Sequence, residues 1–520
     1  MKKQLEKLKK FWKLIFGRTG ILVFLLLVQA VILFGGFALI DKSAWIVNYT
    51  IGLLAVIILI YILNARSNSS FKLMWIILIL VVPVVGVAFY IFTRVQPGTA
   101  YISHRVNALI EEEKDYLTPH KDTLYDVYAE SKQECGFMQY LYKRGKYPVY
   151  SNASVKYFPL GEDKFQELLY QLERAEKFIF LEYFIVDKGI MWNRILRILA
   201  RKAREGVEVR FMYDGTCTLS LLPRNYPKRL EQLGIQCKIF APMRPFLSTH
   251  QNNRDHRKIA VIDGRAAFTG GVNLADEYIN RKERFGHWKD TAVMLKGEAV
   301  WNMTVMFLHM WNVINNSSEP IDHEIHMPHR FHQEPFAGNG FVQPYSDTPL
   351  DGEIVGENVY LNIINRARKY VYICTPYLII DNEMMTALCL AAKSGVDVRI
   401  MTPGIPDKKM VFLLTQSYYE QLLEAGVRIY EYQPGFLHAK SFVCDDEIAV
   451  VGTINLDYRS LYLHFENGVW FYKNKVIQDI LDDFNQTLKY CDPVSIDFCK
   501  NRNIVVRAFQ SILRLFAPLL

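Results

Sequence analysis

The chain repeats itself, and no other feature limits its fold so sharply. LERAEKFIFLEYFI (Leu172–Ile185) returns as INRARKYVYICTPYLI (Ile364–Ile379), and REGVEVRFMYDG (Arg204–Gly215) returns as KSGVDVRIMTPG (Lys393–Gly404). LEQLGIQCKIF (Leu230–Phe240) pairs with LLEAGVRIYEY (Leu422–Tyr432), and HRKIAVIDGRAAFTGGVN (His256–Asn273) with HAKSFVCDDEIAVVGTIN (His438–Asn455). The order is kept throughout, and the spacing drifts only as surface-loop insertions would make it drift. A length of 520 residues suits a doubled unit plus an extension. Within each copy, helix-like segments alternate with short apolar strands. Leu168–Lys177 leads into the strand Phe178–Ile185, and Trp192–Arg204 leads into Val207–Tyr213. That alternation predicts two α/β lobes, each around a largely buried sheet, related by a pseudo-twofold. The lobes are expected at 151–335 and 336–500, with 96–150 as a linker and the division near Phe331–Pro344. Ligand sites favour the seam between such lobes.

Each copy carries His-x-Lys, four residues, then Asp: His256, Lys258, Asp263 and His438, Lys440, Asp445. A glycine and an asparagine follow in each, Gly270 with Asn273 and Gly452 with Asn455, all at one offset, 438 − 256 = 182. Twelve histidines would give on the order of 0.03 accidental matches to the three-residue pattern. Alternate strand residues face the same way, so histidine and lysine share a surface. Lysine offers a fixed charge to a phosphate oxygen, and asparagine adds neutral donors. Histidine can attack phosphorus or protonate a leaving oxygen. One imidazole cannot serve both faces of an in-line displacement, whereas two across a seam can. Lysine stands where a metal ligand would be wanted, no zinc-type Cys/His spacing occurs, and Walker or dinucleotide phosphate loops are absent. His323, His326, His329 and His332 recur every three residues in the connecting stretch and read as a solvated connector.

The N-terminal hundred residues read differently. Ile21–Ile40, Ala44–Leu63 and Leu73–Phe92 are uncharged apolar runs of 20 residues, the length that spans a bilayer core. Lys2, Lys3, Lys7, Lys9, Lys10, Lys13 and Arg18 precede the first run against a lone Glu6, which places the N-terminus on the cytoplasmic side. Three full spans would leave the rest outside, whereas isolated Cys374, Cys389 and Cys444 suit a reducing compartment. Pro83 and Gly86 allow the third run to bend back instead. At the other end, residues 501–520 set Arg502, Arg507 and Arg514 among Phe509, Ile512, Leu513, Leu515 and Phe516, either as an interfacial helix or as a packed terminal helix.

The paired motifs, together with LEYFIVDKG (Leu181–Gly189), GGVNLADEY (Gly270–Tyr278), HWKDT (His287–Thr291), CTPYLIID (Cys374–Asp381) and HAKSFVCDD (His438–Asp446), resemble the phospholipase D superfamily. Within it the resemblance is to bacterial cardiolipin synthases, and it covers nearly the whole chain, including PVVGVAFYIF (Pro83–Phe92) and the terminal LFAPLL. It implies a multi-pass cell-membrane enzyme that joins two phosphatidylglycerol molecules into cardiolipin and releases glycerol, with no cofactor, metal, nucleic acid or protein partner. Under it, His256 and His438 are nucleophile and acid/base, Lys258 and Lys440 hold phosphoryl oxygens, and Asn273 and Asn455 assist. Asp263 and Asp445 complete the motifs by fixing local charge and geometry. The superfamily's histidine-orienting carboxylate, eleven residues past the motif asparagine, falls on Glu466 in the second copy. In the first copy it falls on Arg284, beside Glu283, with Asp290 as the candidate beyond. The rivals are a superfamily hydrolase, of phospholipids or nucleic acid, and a silent membrane scaffold. A net charge of +8 spread over this length makes no basic stripe for nucleic acid.

Overall fold

The computed structural model describes residues 42–94, 97–242, 252–314, 323–327, 336, 338 and 340–519. Two compact units result. One holds the N-terminal helices with Leu515–Leu519; the other holds Ile102–Pro242 and Asn253–Arg514.

Both repeats lie in the second unit. The first supplies β1 (Ala153–Phe158), β2 (Phe178–Tyr183), β3 (Glu208–Asp214), β4 (Gln236–Phe240), β5 (Lys258–Ile262), β6 (Ala266–Gly270), β7 (His287–Lys289) and β8 (Ala292–Gly297). The second supplies β9 (Phe341–Asp347), β10 (Tyr370–Cys374), β11 (Asp397–Pro403), β12 (Arg428–Tyr432), β13 (Gly435–Leu437), β14 (Ser441–Cys444), β15 (Ile448–Gly452), β16 (Glu466–Tyr472) and β17 (Cys491–Pro493). Among the described residues, one sheet runs β1-β8-β6-β5-β2-β3-β4, and the other β9-β16-β15-β14-β10-β11-β12-β17. The sequences are the same strand for strand, with β17 added at the far edge. In each, the first two α/β strands are parallel and the motif strand runs antiparallel to them.

The cause is local. Phe178–Tyr183 is buried at every position, as a central strand covered on both faces must be. The helix before it spans Gly161–Glu173, beginning earlier than its apolar period suggests because Glu162 and Asp163 suit the positive end of a helix. Helix Ile190–Arg204 ends where Gly206 turns left-handed at φ 92°, and the second repeat stops its helix the same way at Gly395, φ 95°. The helix Val300–Val313 is apolar almost all round and buried almost all round, packing against its own sheet and against β9. Its counterpart Val476–Leu488 packs against its own sheet and β1. One core therefore joins Val261, Ala267 and Val293 of the first sheet to Val443, Ala449 and Val469 of the second.

Two expectations about connecting segments need correction. The presumed linker 96–150 is helical, with Lys121–Glu130 and Lys132–Gly145 following Pro97–Glu113. Its Val106 and Leu109 belong to the shared core, and Tyr150 exchanges two 2.9 Å backbone hydrogen bonds with Val342. The connector is not simply solvated either. His323 and His326 are buried, 3.5 Å from Glu113 and 3.1 Å from Glu208, where their imidazoles face carboxylates. His329 and His332 lie outside the described residues.

In the other unit, helices Lys42–Asn64, Ser69–Val81 and Pro83–Arg94 pack through Ala55, Ile58, Ile62, Ile79, Val87 and Tyr90. Among the described residues no helix is long and apolar enough to cross a membrane. Of the three expected spans, Ile21–Ile40 lies outside the described residues, and Ala44–Leu63 lies in a helix whose side chains are described from Tyr49 onward. Leu73–Phe92 divides at Pro83, which cannot donate to the helix before it, into helices of 13 and 12 residues. Each is about 20 Å long, short of a core of about 30 Å. Leu53, Ile57, Ile60 and Leu80 nonetheless point outward, each more than half exposed.

The C-terminal helix Ile504–Leu515 is docked along one face and exposed along the rest. Gln510 donates to the Leu413 carbonyl, and Arg514 lies over the Tyr418 ring, so one face is docked. Ile504, Val505 and Ile512 remain exposed on the rest.

Candidate active site

His256 and Lys258 enter β5 on one side of the chain, and His438 and Lys440 enter β14 in the same manner. Each lysine folds back onto its own histidine's carbonyl: Lys258 Nζ donates to the His256 oxygen at 2.5 Å, and Lys440 bonds that of His438. Arg257 points the opposite way and is fully buried between Glu182 and Asp255.

The two repeats meet through backbone. His256 N–H donates to the Phe465 carbonyl at 2.9 Å, and Phe465 N–H donates to Arg254 at 2.8 Å. In the mirror position, β13 lies parallel to β7, and His438 N–H donates to Lys289 at 2.7 Å. Each clasp ends on a carboxylate. His256 Nδ1 lies 2.9 and 3.0 Å from the oxygens of Glu466, and His438 Nδ1 lies 2.6 Å from Asp290 Oδ2. Both carboxylates come from the other repeat. Glu466, placed by its spacing after Asn455, therefore serves the first repeat's histidine, and Asp290 serves the second's.

Nδ1–H donation to a carboxylate fixes the tautomer and leaves Nε2 with a free lone pair. Burial pushes the His256 imidazole down to about 3 and that of His438 to about 4, against the pull of the carboxylates, so both rings are neutral near pH 7. Burial also lowers Lys258 to about 7 and Lys440 to about 8. Lys258 and Lys440 feel each other's charge and both feel Glu466 and Asp290, which ties the two motifs into one electrostatic site. Burial alone would raise Glu466. Its contacts with His256 and His464 outweigh that and hold it well below the usual carboxylate range, and the Thr453 hydroxyl also donates to it.

The remaining expected residues do other work. Asp263 sits about 16 Å along the strand from Lys258, in a turn with φ 52°, and accepts three backbone N–H groups from Glu176, Lys177 and Phe178. Asp445, also at φ 52°, does the same for Arg368, Lys369 and Tyr370. These aspartates pin the motif strand to the start of β2 or β10 and take no place beside the imidazoles, so their grouping with the catalytic residues is corrected to a structural tie. Asn273 is committed at both ends, accepting from Ile185 N–H and donating to the Tyr278 hydroxyl. Asn455 donates weakly to Asp457 at 3.3 Å and has a buried carbonyl oxygen with no partner.

Phe184, Tyr278, Trp288 and Lys289 lie inside the segments that carry the resemblance, but nothing in those segments gives them a place beside the imidazoles, and His464 lies outside them. Phe184 packs edge-on against His256 with ring centres 4.8 Å apart, Tyr278 packs edge-on against His438 at 5.5 Å, and Trp288 lies tilted beside it at 5.3 Å. His464 lies 5.5 Å from the His256 ring. Lys289 bonds Asp483 at 2.7 Å and so braces the residue next to Asp290.

Similarity to known proteins bears on this geometry. A family model described as cardiolipin synthase, PLD-like domain, matches residues 168–311 and 360–488, and one described as phospholipase D-nuclease N-terminal matches 53–94. A Streptococcus mutans protein described only as uncharacterized is 49% identical over 461 residues, 89% of this chain and 99% of its own length. A cardiolipin synthase of Alkalihalophilus pseudofirmus is 34% identical over 516 residues, 97% of this chain and all of its own. Among solved structures, a phosphatidylserine synthase of Haemophilus influenzae superposes with TM-score 0.52 at 13% identity, covering 70% of this chain and 93% of that one, a likeness of fold.

Proposed function

This chain belongs to the family of cardiolipin synthases with phospholipase D-like domains, and we propose that its paired half-sites transfer a phosphatidyl group between two phosphatidylglycerol molecules. The observation that carries this reading is the crossed pairing of His256 with Glu466 and His438 with Asp290. In the first step, Nε2 of one imidazole attacks the phosphorus of a phosphatidylglycerol. The bond from phosphorus to the head-group glycerol oxygen breaks, and the second imidazole, protonated, gives that oxygen its proton. An anionic phosphodiester in the site favours that protonated form, offsetting the desolvation that keeps the free enzyme's imidazoles neutral. In the second step, the neutral second imidazole takes the proton of an incoming phosphatidylglycerol hydroxyl, whose oxygen attacks phosphorus as the phosphorus–nitrogen bond breaks. One phosphodiester is consumed and one is made, so no nucleotide is required. Lys258 and Lys440 stabilise the phosphoryl oxygens as charge builds there. Asn455, whose buried carbonyl oxygen has no partner, accepts a hydrogen bond from a glycerol hydroxyl of the bound lipid.

We further propose that the exposed apolar residues of 49–92 and of the C-terminal helix hold the protein against a bacterial cell membrane. Outward Leu53, Ile57, Ile60, Val505 and Ile512 support this. Purified protein in detergent, given phosphatidylglycerol alone, is expected to yield cardiolipin and glycerol in equal amounts. Phosphatidic acid as the dominant product would make it a hydrolase instead. His256→Ala and His438→Ala should each lower turnover by about 10²–10⁴ or more. A variant retaining near-parental turnover would end the two-histidine scheme.

A further inference from the structure

Beside the first half-site stands a third imidazole that this reaction does not use. His464 precedes Glu466 by two residues, its side chain is nine-tenths buried, and neither ring nitrogen has a hydrogen-bond partner. Its Nδ1 lies 3.6 Å from Glu466 Oε1, and the ligand-capable atoms of His256, His464 and Glu466 all fall within 4.8 Å of one another. We infer that these three side chains form an inhibitory binding site for a borderline divalent transition-metal ion, zinc fitting best.

The distances carry the argument. Two donors on one tetrahedral zinc, each at about 2.0–2.1 Å, stand about 3.3 Å apart. Glu466 is already 2.9 Å from one imidazole nitrogen and 3.6 Å from the other. The two imidazole nitrogens lie within 4.8 Å of each other, so closing the site needs side-chain shifts of up to about 1.5 Å. Glu466 contributes buried negative charge and the histidines two neutral nitrogens, a two-histidine, one-carboxylate set with a fourth position left open. Calcium and magnesium prefer shells of six or more oxygens and fit it poorly.

Coordination through His256 Nδ1 displaces the hydrogen bond to Glu466. The neutral ring keeps its one proton, which moves to Nε2, and the lone pair needed for attack or proton uptake is lost. No electron is transferred, and removal of the ion restores the original tautomer. The other half-site cannot bind metal this way, because the residue two before Asp290 is Trp288, which has no ligating atom. Occupancy follows from side-chain geometry alone; that occupancy inhibits rests on the function proposed above.

The test uses purified full-length protein in detergent, stripped of metal and titrated with Zn²⁺. Bound zinc is counted by equilibrium dialysis while cardiolipin formation is followed in parallel. One zinc per chain is expected, with the rate falling as the site fills and recovering with EDTA. His464→Asn and His464→Gln, checked for folding by circular dichroism, should each raise the half-saturating zinc concentration by at least about 10–100-fold. Inhibition is scored against each variant's own zinc-free rate. His438→Ala should bind zinc as the parent does. Zinc binding that survives both His464 variants unchanged, or folded parent protein that takes up no zinc, overturns the site. Zinc that fills the site without slowing the reaction overturns the inhibition. If no cardiolipin forms under any condition, the proposed function fails while the dialysis still judges the site.

Discussion

The two half-sites are alike in layout and unlike in what surrounds them. Beneath His256, Arg257 is clamped by Glu182 and Asp255 in a fully buried ionic cluster. At the matching positions under His438, Leu437 and Ala439 are buried in an apolar cluster with Cys374. The carboxylates differ too. Glu466 takes a hydrogen bond from Thr453, whereas the residue matching Thr453 is Gly271, where an added Cβ would fall 1.9 Å from Asp290 Oδ1. Asp290 occupies the space that a side chain there would need. After duplication, catalytic geometry was kept while the support beneath it diverged, which suits two histidines with unequal tasks.

The sharpest way to break the comparison is to neutralise each carboxylate. Glu466→Gln and Asp290→Asn should each cost about 10²–10³ in turnover, since each fixes an imidazole tautomer. Trapped phosphohistidine should vanish in one variant and accumulate in the other. Identical trapping would make the half-sites equivalent. Smaller effects separate the supports. Gly271→Ala, which drives a methyl into Asp290, should lower turnover about 10–100-fold, and Thr453→Val, which removes one hydrogen bond to Glu466, about tenfold or less. Steady-state rates of the two variants check the order, and a reversed order would show that the glycine is not what seats Asp290.

The smallest effect concerns acid stability. Unfolded histidines take up protons below about 6.5, whereas folded His256 and His438 resist until about 3 and about 4 because they are buried. Between those limits the unfolded state binds more protons, so stability falls as pH falls, by up to about 1.4 kcal/mol per pH unit for each histidine. His256→Gln and His438→Gln should therefore flatten the dependence of melting temperature on pH between 6.5 and 4.5. Below about pH 4 only the His256 variant should still differ in slope from the parent. Curves parallel to the parent's would show that neither ring is held neutral.

Much of this was legible in the chain because duplication doubles every signal. The motif histidines and lysines and the alternation of helix and strand follow from two aligned copies of one pattern, whereas the strand order comes from the pairing of segments far apart in the chain. Partnership across the pseudo-twofold was not legible. Glu466 lies 28 residues past His438 but 210 past His256, so sequence distance favours the wrong neighbour. Asp290 was harder still, since an insertion before β7 moves it off the eleven-residue spacing. His464 has no counterpart and no periodic context, so only coordinates show it beside Glu466. The helices of 97–145 were missed because their apolar residues, Val127, Met138 and Leu141 among them, are sparse and meet a core built by distant segments. Asp263 and Asp445 look like chemistry in a motif; their three backbone bonds each show why a turn would demand them.

The clasps at Phe465 and Lys289 define what can be inherited separately. Neither repeat alone owns a finished catalytic imidazole: each holds a histidine with nothing behind it and an acid with nothing to hold. A solitary repeat could become whole only by embracing a second copy of itself about a twofold axis. Fused into one polypeptide, the partners no longer have to find each other, and each is free to specialise because its mate is always present.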